Sequence, residues 1–193
     1  MFSKNLKFQN FKKTKILLKI KKDLKNLLKE NNQIICSLQS TYKNKYDLKK
    51  IIKLKKNLEL RIIGIGGSIL GAKAIYNFLP VKKKIMFIDN LSSKLNLKKK
   101  NYLNLIISKS GNTMETIANS NLLISKKDKN IFITENKKSY LFKLAEKLKS
   151  EIIEHNNFIG GRYSVLSEVG MLPAELMGLD PKKFRQLNNL IKN

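Results

Sequence analysis

The sequence predicts an α/β protein: a doubly wound parallel sheet of about five strands flanked by helices, entered through an N-terminal helical arm. Three observations predict it. From Glu59 onward, short β-branched runs alternate with helical stretches, which is the rhythm of βαβ units. Arg61–Leu79, RIIGIGGSILGAKAIYNFL, reads as a buried strand running through a glycine turn straight into a helix. Polar loops follow the strands, at the edge of the sheet where such folds hold ligands.

Taken in order, residues 1–10 show little periodicity and read as a loose arm. Lys13 to Glu30 carry Ile16, Leu17, Ile20, Leu24, Leu27 and Leu28 at one-sided helical spacing with lysines opposite. This predicts an amphipathic helix, ended by Asn31 and Asn32, whose stripe packs onto a domain. An irregular stretch through Cys36 and Tyr42 follows. Asp47 then caps a second helix containing Leu48, Ile51, Ile52 and Leu54. Strands are expected at 59–64, 84–89, 103–108, 130–134 and 151–154, with a possible helix in the polar segment between the second and third. Helices are expected at 69–79 with Ser68 as N-cap, from Thr113 to Lys126, from Ser139 to Lys149, and from Ser164 or Ser167 to Met177. Asp180 and Pro181 supply a cap and first turn for a last helix running to the chain end. The division is an arm at 1–58, an α/β domain at 59–180 and the start of a C-terminal helix at 181–193.

The net charge of +26 makes nucleic acid an obvious partner to consider, but the residue types argue against it. Of forty basic residues only Arg61, Arg162 and Arg185 are arginine, so the bidentate fork favoured by base readers is scarce. The excess reads as drift toward Lys, Asn and Ile, and no nucleic-acid partner is expected. Every long apolar run is interrupted by lysine or glycine, so no membrane span is expected. The basic start, with its first acid at Asp23, lacks arginine and is poor in serine, unlike a transit peptide, and a cytoplasmic location is expected. The single cysteine, Cys36, allows no internal disulfide and no cysteine metal cluster. It reads as a small buried hydrophobe, and the single histidine, His155, as a solvated or locally bonded imidazole. Neither a metal nor a cofactor is expected.

Three loops fall where this Rossmann-like arrangement places ligands. Gly64 to Ser68 is a glycine turn, but neither the Walker A spacing nor the last small residue of the dinucleotide fingerprint is present. On spacing alone, a phosphate turn and a tight turn that binds nothing both remain open. Ser108-Lys109-Ser110-Gly111-Asn112-Thr113 offers three hydroxyls, an ammonium group and a glycine between a buried strand and a helix N-terminus, with Asn112 or Thr113 as N-cap. Hydroxyls, free N–H groups and the helix dipole together favour a phosphate there. Gly160-Gly161-Arg162 sets a rare arginine behind paired glycines, as an aimed cation would be.

Ile65-Gly66-Gly67-Ser68-Ile69-Leu70-Gly71, Ser108 to Thr116, and Gly160-Gly161-Arg162-Tyr163-Ser164 with Val169-Gly170-Met171-Leu172-Pro173 resemble the glucose-6-phosphate isomerase family, in that order and at comparable spacings. The first two alone would resemble only a sugar-isomerase (SIS) domain; the GGRYS segment makes the likeness specific. It covers residues 45–190.

The resemblance implies an SIS-type sheet and an aldose–ketose isomerase acting on glucose 6-phosphate and fructose 6-phosphate, without a cofactor or metal. It implies that Ser108, Ser110 and Thr113 hold the substrate phosphate, with Ser68 and the Gly67 backbone contributing and Lys109, Gly111 and Asn112 in the same loop. It implies that Arg162 stabilises the enediolate. The family's base glutamate, ring-opening histidine and helper lysine belong to later segments, and His155 does not match that histidine. The chain therefore looks like the amino-terminal half of such an enzyme, expected to work as a homo-oligomer or with a completing carboxyl-terminal half. The alternative from another class is a non-catalytic sugar-phosphate-sensing module.

Overall fold

The computed structural model describes residues 18–30, 32–54, 58–91 and 101–185. Five strands, β1 (Glu59–Ile63), β2 (Ile85–Ile88), β3 (Tyr102–Ile107), β4 (Lys129–Thr134) and β5 (Glu151–Glu154), form one sheet in the order β2-β1-β3-β4-β5. Every pairing is parallel, with Ile62 opposite Phe87 on one side and Leu105 on the other. The chain steps outward from β1 to β2 and then crosses back to β3. The winding therefore reverses between β1 and β3, the position beyond whose strand ends folds of this kind hold ligands.

Strand periodicity divides the core. Leu60, Ile62, Leu103, Leu105, Ile107, Ile131, Ile133 and Ile153 face one layer, completed by α3 (Leu48–Leu54), α4 (Gly67–Phe78) and α7 (Glu168–Met177). Ile63, Ile88, Ile106 and Phe132 face the other, under α5 (Met114–Leu123) and α6 (Tyr140–Lys147). All six residues of β3 are buried, as a central strand covered on both faces requires. The expected doubly wound parallel sheet of five strands is the observed one, with strand ends within one residue of expectation.

Four local expectations change. Helix α4 starts at Gly67 and its N-cap is Gly66, not Ser68. The cap adopts φ 56°, ψ −128°, a conformation open to glycine, which leaves Ser68 inside the first turn. The stretch expected to be irregular contains α2 (Gln33–Leu38), because the Asn32 side chain accepts from the Ile34 N–H at 2.9 Å and caps it. Helix α1 (Leu18–Lys29) forms, but its stripe is not covered: Ile20, Leu24 and Leu27 are exposed among the described residues. Cys36, read as a buried hydrophobe, is only half-buried, whereas His155 is bonded locally, one of its two expected settings, and is buried. Asp180 does cap α8 (Pro181–Phe184), accepting from the Lys182 N–H. Residues 1–17, residues 92–100 of the polar segment where a helix was possible, and the continuation past Arg185 lie outside the described residues.

Arg61, the largest fully buried side chain among the described residues, is structural. It donates to Asn104 Oδ1 and the Leu123 carbonyl at 2.7 Å, pairs with Asp128 at 3.2 Å and lies 4.2 Å over the Tyr102 ring. Asp128 also accepts from the Tyr102 and Ser125 N–H groups, so this buried charge pair has its lone pairs satisfied.

Candidate functional site

The turn after β1 and the end of β3 meet where the winding reverses. A Cβ built on Gly64 would stand 3.0 Å from the Ile107 carbonyl and 3.2 Å from Ser68 Cβ, so only hydrogen lets the first turn lie flat against the end of β3. The third loop closes on the first. A Cβ on Gly67 would lie 2.5 Å from the carbonyl carbon and oxygen of Gly161, so the GGR segment touches the start of α4 backbone to backbone.

The same economy holds the GGR segment further along. Residues Gly161–Leu166 form a 3₁₀ helix between α4 and α7. A Cβ on Gly71 would meet Val165 Cγ2 at 2.7 Å, and one on Gly170 would meet the Val165 carbonyl oxygen at 2.1 Å. Buried Ser164 donates to the carbonyls of Gly161 at 2.8 Å and Gly67 at 3.3 Å, pinning the turn that carries Arg162. Arg162 itself is exposed and makes no hydrogen bond or ion pair with the described residues.

In the loop after β3, Ser108 is buried and its N–H continues the sheet ladder to the Ile133 carbonyl. Its hydroxyl lies 2.9 Å from that of Thr113. Thr113 is the N-cap of α5, yet its side chain caps nothing, so the first N–H groups of α5 are not taken by their own cap. Exposed Ser110 accepts from the Asn112 N–H at 3.2 Å. Gly111 turns the loop at φ 66° and its carbonyl accepts from the Leu141 N–H, while Asn112 Oδ1 accepts from the Tyr140 N–H at 2.9 Å. The start of α6 is thereby spent on holding the loop, and that of α5 stays open.

Seven of the expected residues, Gly67, Ser68, Ser108, Ser110, Gly111, Asn112 and Thr113, thus lie on the first turn of α4 and on the loop after β3, and Arg162 follows Gly161, which packs on Gly67. Lys109 departs from the group. Its ammonium donates to the Asn157 carbonyl at 2.5 Å and lies 3.8 Å from Glu135, which also pairs with Lys137.

Glu168 and His155 could in principle move protons, and both are engaged elsewhere. The buried Glu168 carboxylate accepts from Tyr42 Oη at 2.9 and 3.1 Å and from the Lys45 N–H at 2.9 Å. His155 has its Nδ1 3.1 Å from the Asn156 carbonyl, and burial holds its pKa below the ordinary 6.5. The folded chain therefore keeps this imidazole neutral where the unfolded chain takes up a proton. Stability should fall as pH drops from about 6.5 toward the depressed folded value, with a slope approaching roughly 1.4 kcal/mol per pH unit. His155→Gln should flatten that part of a series of urea midpoints, and an unchanged slope would assign it to other groups.

The phosphoglucose isomerase family model matches residues 19–189. The glucose-6-phosphate isomerase of Acholeplasma laidlawii (strain PG-8A) is 41% identical over 175 residues, covering 76% of this chain and 41% of that protein. The enzyme of the same name from Methanocaldococcus jannaschii is 39% identical over 150 residues, covering 68% of this chain and 37% of its own length. The chain spans less than half the length of these curated relatives. Among solved structures, a hypothetical protein from Thermus thermophilus aligns with a TM-score of 0.65 at 22% identity, covering 88% of this chain and 45% of that one. Tagatose-6-phosphate ketose/aldose isomerase from Escherichia coli aligns at 0.53 and 16% identity, covering 74% and 43%. These two share the fold. Because the family match runs through all five strands and all three loops, the chain belongs to the phosphoglucose isomerase family.

Proposed function

We propose that this chain binds glucose 6-phosphate and fructose 6-phosphate in the β1–β3 crevice and supplies the sugar-phosphate-binding half of an aldose–ketose isomerase. The observation that carries the reading is the meeting of three loops at the point where the winding reverses, with the hydroxyls of Ser108 and Thr113 at an α5 terminus whose cap side chain is turned away. The phosphate sits over that terminus, held by Ser108, Ser110 and Thr113, with Ser68 and the Gly67 N–H approaching from the neighbouring turn. Gly111 and Asn112 set the loop. Lys109 adds positive charge from its edge, bound to the Asn157 carbonyl.

With the phosphate fixed, the sugar carbons extend toward the GGR segment. Isomerisation moves a proton between C2 and C1 through an enediolate, and a guanidinium near the forming oxyanion stabilises charge where it appears. Arg162, exposed and uncommitted among the described residues, takes that role. The proton itself needs a positioned base. The family's base is not among these residues, so it comes from a completing carboxyl-terminal half or from another subunit of an oligomer. A cytoplasmic location goes with this reading.

Calorimetric titration tests it. Ser110→Ala with Thr113→Ala should weaken fructose 6-phosphate and inorganic phosphate alike, each lost hydrogen bond to a charged group being worth roughly 1.5–3 kcal/mol. An unchanged dissociation constant would sink the phosphate assignment.

A further inference from the structure

A buried polar network behind Arg162 is not used by the phosphate reading. Glu168, 1% exposed, opens α7 and accepts from the Tyr42 hydroxyl and the Lys45 N–H. The Tyr42 oxygen also accepts from Asn156 Nδ2 at 2.9 Å, and the Lys45 ammonium reaches Asn156 Oδ1 at 2.7 Å and Glu154 at 3.1 Å. Arg185, 3% exposed, donates to the Tyr42 carbonyl at 3.4 Å, Asn44 Oδ1 at 2.7 Å and the Leu166 carbonyl at 2.5 Å. Its guanidinium lies 5.0 Å from the centre of the Tyr42 ring. One buried carboxylate and one buried guanidinium share this network, and both are hydrogen-bonded, as buried charges must be. Burial and the adjacent Glu168 charge push the Tyr42 hydroxyl far above its ordinary value, so it stays a donor.

Residues 42–46 therefore act as a strap with a definite place. Leu166, the last residue of the 3₁₀ helix, is held by Arg185; Glu168, two residues on, is held by Tyr42 and Lys45; Ser164 is held to Gly67 in front. The segment that carries Arg162 is gripped from the crevice side by glycine contacts and from behind by the strap. The strap's other partner, Asn156, adjoins Asn157, which receives Lys109 of the phosphate loop. The network thus joins the back of the arginine segment to the edge of the phosphate loop through one short connection.

We propose that Tyr42, Glu168 and Arg185 are positioning residues that fix the 3₁₀ segment so that the Arg162 guanidinium faces the sugar end of the crevice. This rests on the phosphate reading above. The strap's role is to hold an exposed cation on a short helix, where a small shift would cost most against a charge that develops at one place.

The test uses the whole 193-residue chain and two ligands: inorganic phosphate, and arabinonate 5-phosphate, whose planar carboxylate copies an enediolate. Tyr42→Phe keeps the ring and removes the hydroxyl. It should weaken arabinonate 5-phosphate about tenfold while leaving inorganic phosphate within about twofold. The same change in an Arg162→Ala background should cost nothing further, because the cation it positions is gone. Equal weakening of both ligands, no weakening of either, or full additivity with Arg162→Ala would overturn the proposal.

A second measurement needs no ligand. Hydrogen exchange at the Tyr163 and Ser167 amides, which bond to the Gly160 and Ser164 carbonyls, should speed up at least about tenfold in Tyr42→Phe with α6 unchanged. Unaltered exchange there would also overturn it. If the unmodified chain binds neither ligand, the phosphate reading fails, and the exchange result decides the strap by itself.

Discussion

Gly67→Ala is expected to destabilise the chain by about 3 kcal/mol and to abolish sugar-phosphate binding. The added methyl would stand 2.5 Å from the Gly161 carbonyl group, and both sides of that contact are backbone, so no side chain can swing away to make room. Relief requires the GGR segment to leave α4, which carries Arg162 off the crevice and breaks the Ser164 bond to the Gly67 carbonyl. Gly160→Ala is the control. Its Cβ would meet nothing closer than the Tyr163 ring at 3.5 Å, an ordinary contact, and the change should stay within about 0.5 kcal/mol. Urea unfolding of the two variants beside the parent checks the contrast, and equal stabilities would mean that the loops do not touch.

The second large effect concerns turnover. In a coupled assay converting fructose 6-phosphate, the isolated chain should read at background. A positioned proton-transfer group contributes typically about 10² to 10⁴-fold, and the two candidates Glu168 and His155 are both engaged. Glu168 is closed inside the strap network and His155 is buried against the Asn156 carbonyl. In a chain completed by the relatives' remaining segments, activity should appear, and Arg162→Ala should then lower kcat more than it raises KM. Its charge matters most once the enediolate forms. Robust turnover by the 193-residue chain, confirmed by intact mass, would show that one of the enclosed groups works as a base.

What could be read from the residues, and what could not, follows from the range of the forces involved. The strands were legible because a parallel sheet buried on both faces demands short, largely apolar runs such as LNLIIS and NIFIT. The strand-end loops were legible because their glycines and hydroxyls stand in one short stretch. The cap of α4 was misplaced from Gly66 to Ser68 because propensity favours serine, while the turn's positive φ decided for glycine. Helix α2 was missed because six residues are too few to show a period. The strap was invisible for another reason: Tyr42 and Glu168 are 126 residues apart, and nothing local marks them as partners. An acid among buried apolar residues of α7 was the one available hint, since a buried carboxylate requires a donor. Likewise, the packing of Gly67 on Gly161 brings two motifs distant in sequence into contact, a fact that only the fold contains.

The central claim is that a sugar phosphate occupies the crevice between β1 and β3. A crystal structure of the chain grown with fructose 6-phosphate tests it most directly. The account predicts the phosphorus over the first turn of α5, its oxygens about 3 Å from the hydroxyls of Ser110 and Thr113, and the sugar carbons directed toward Arg162. Fructose 6-phosphate bound instead among the surface lysines, with the Ser108–Thr113 loop empty, would contradict it.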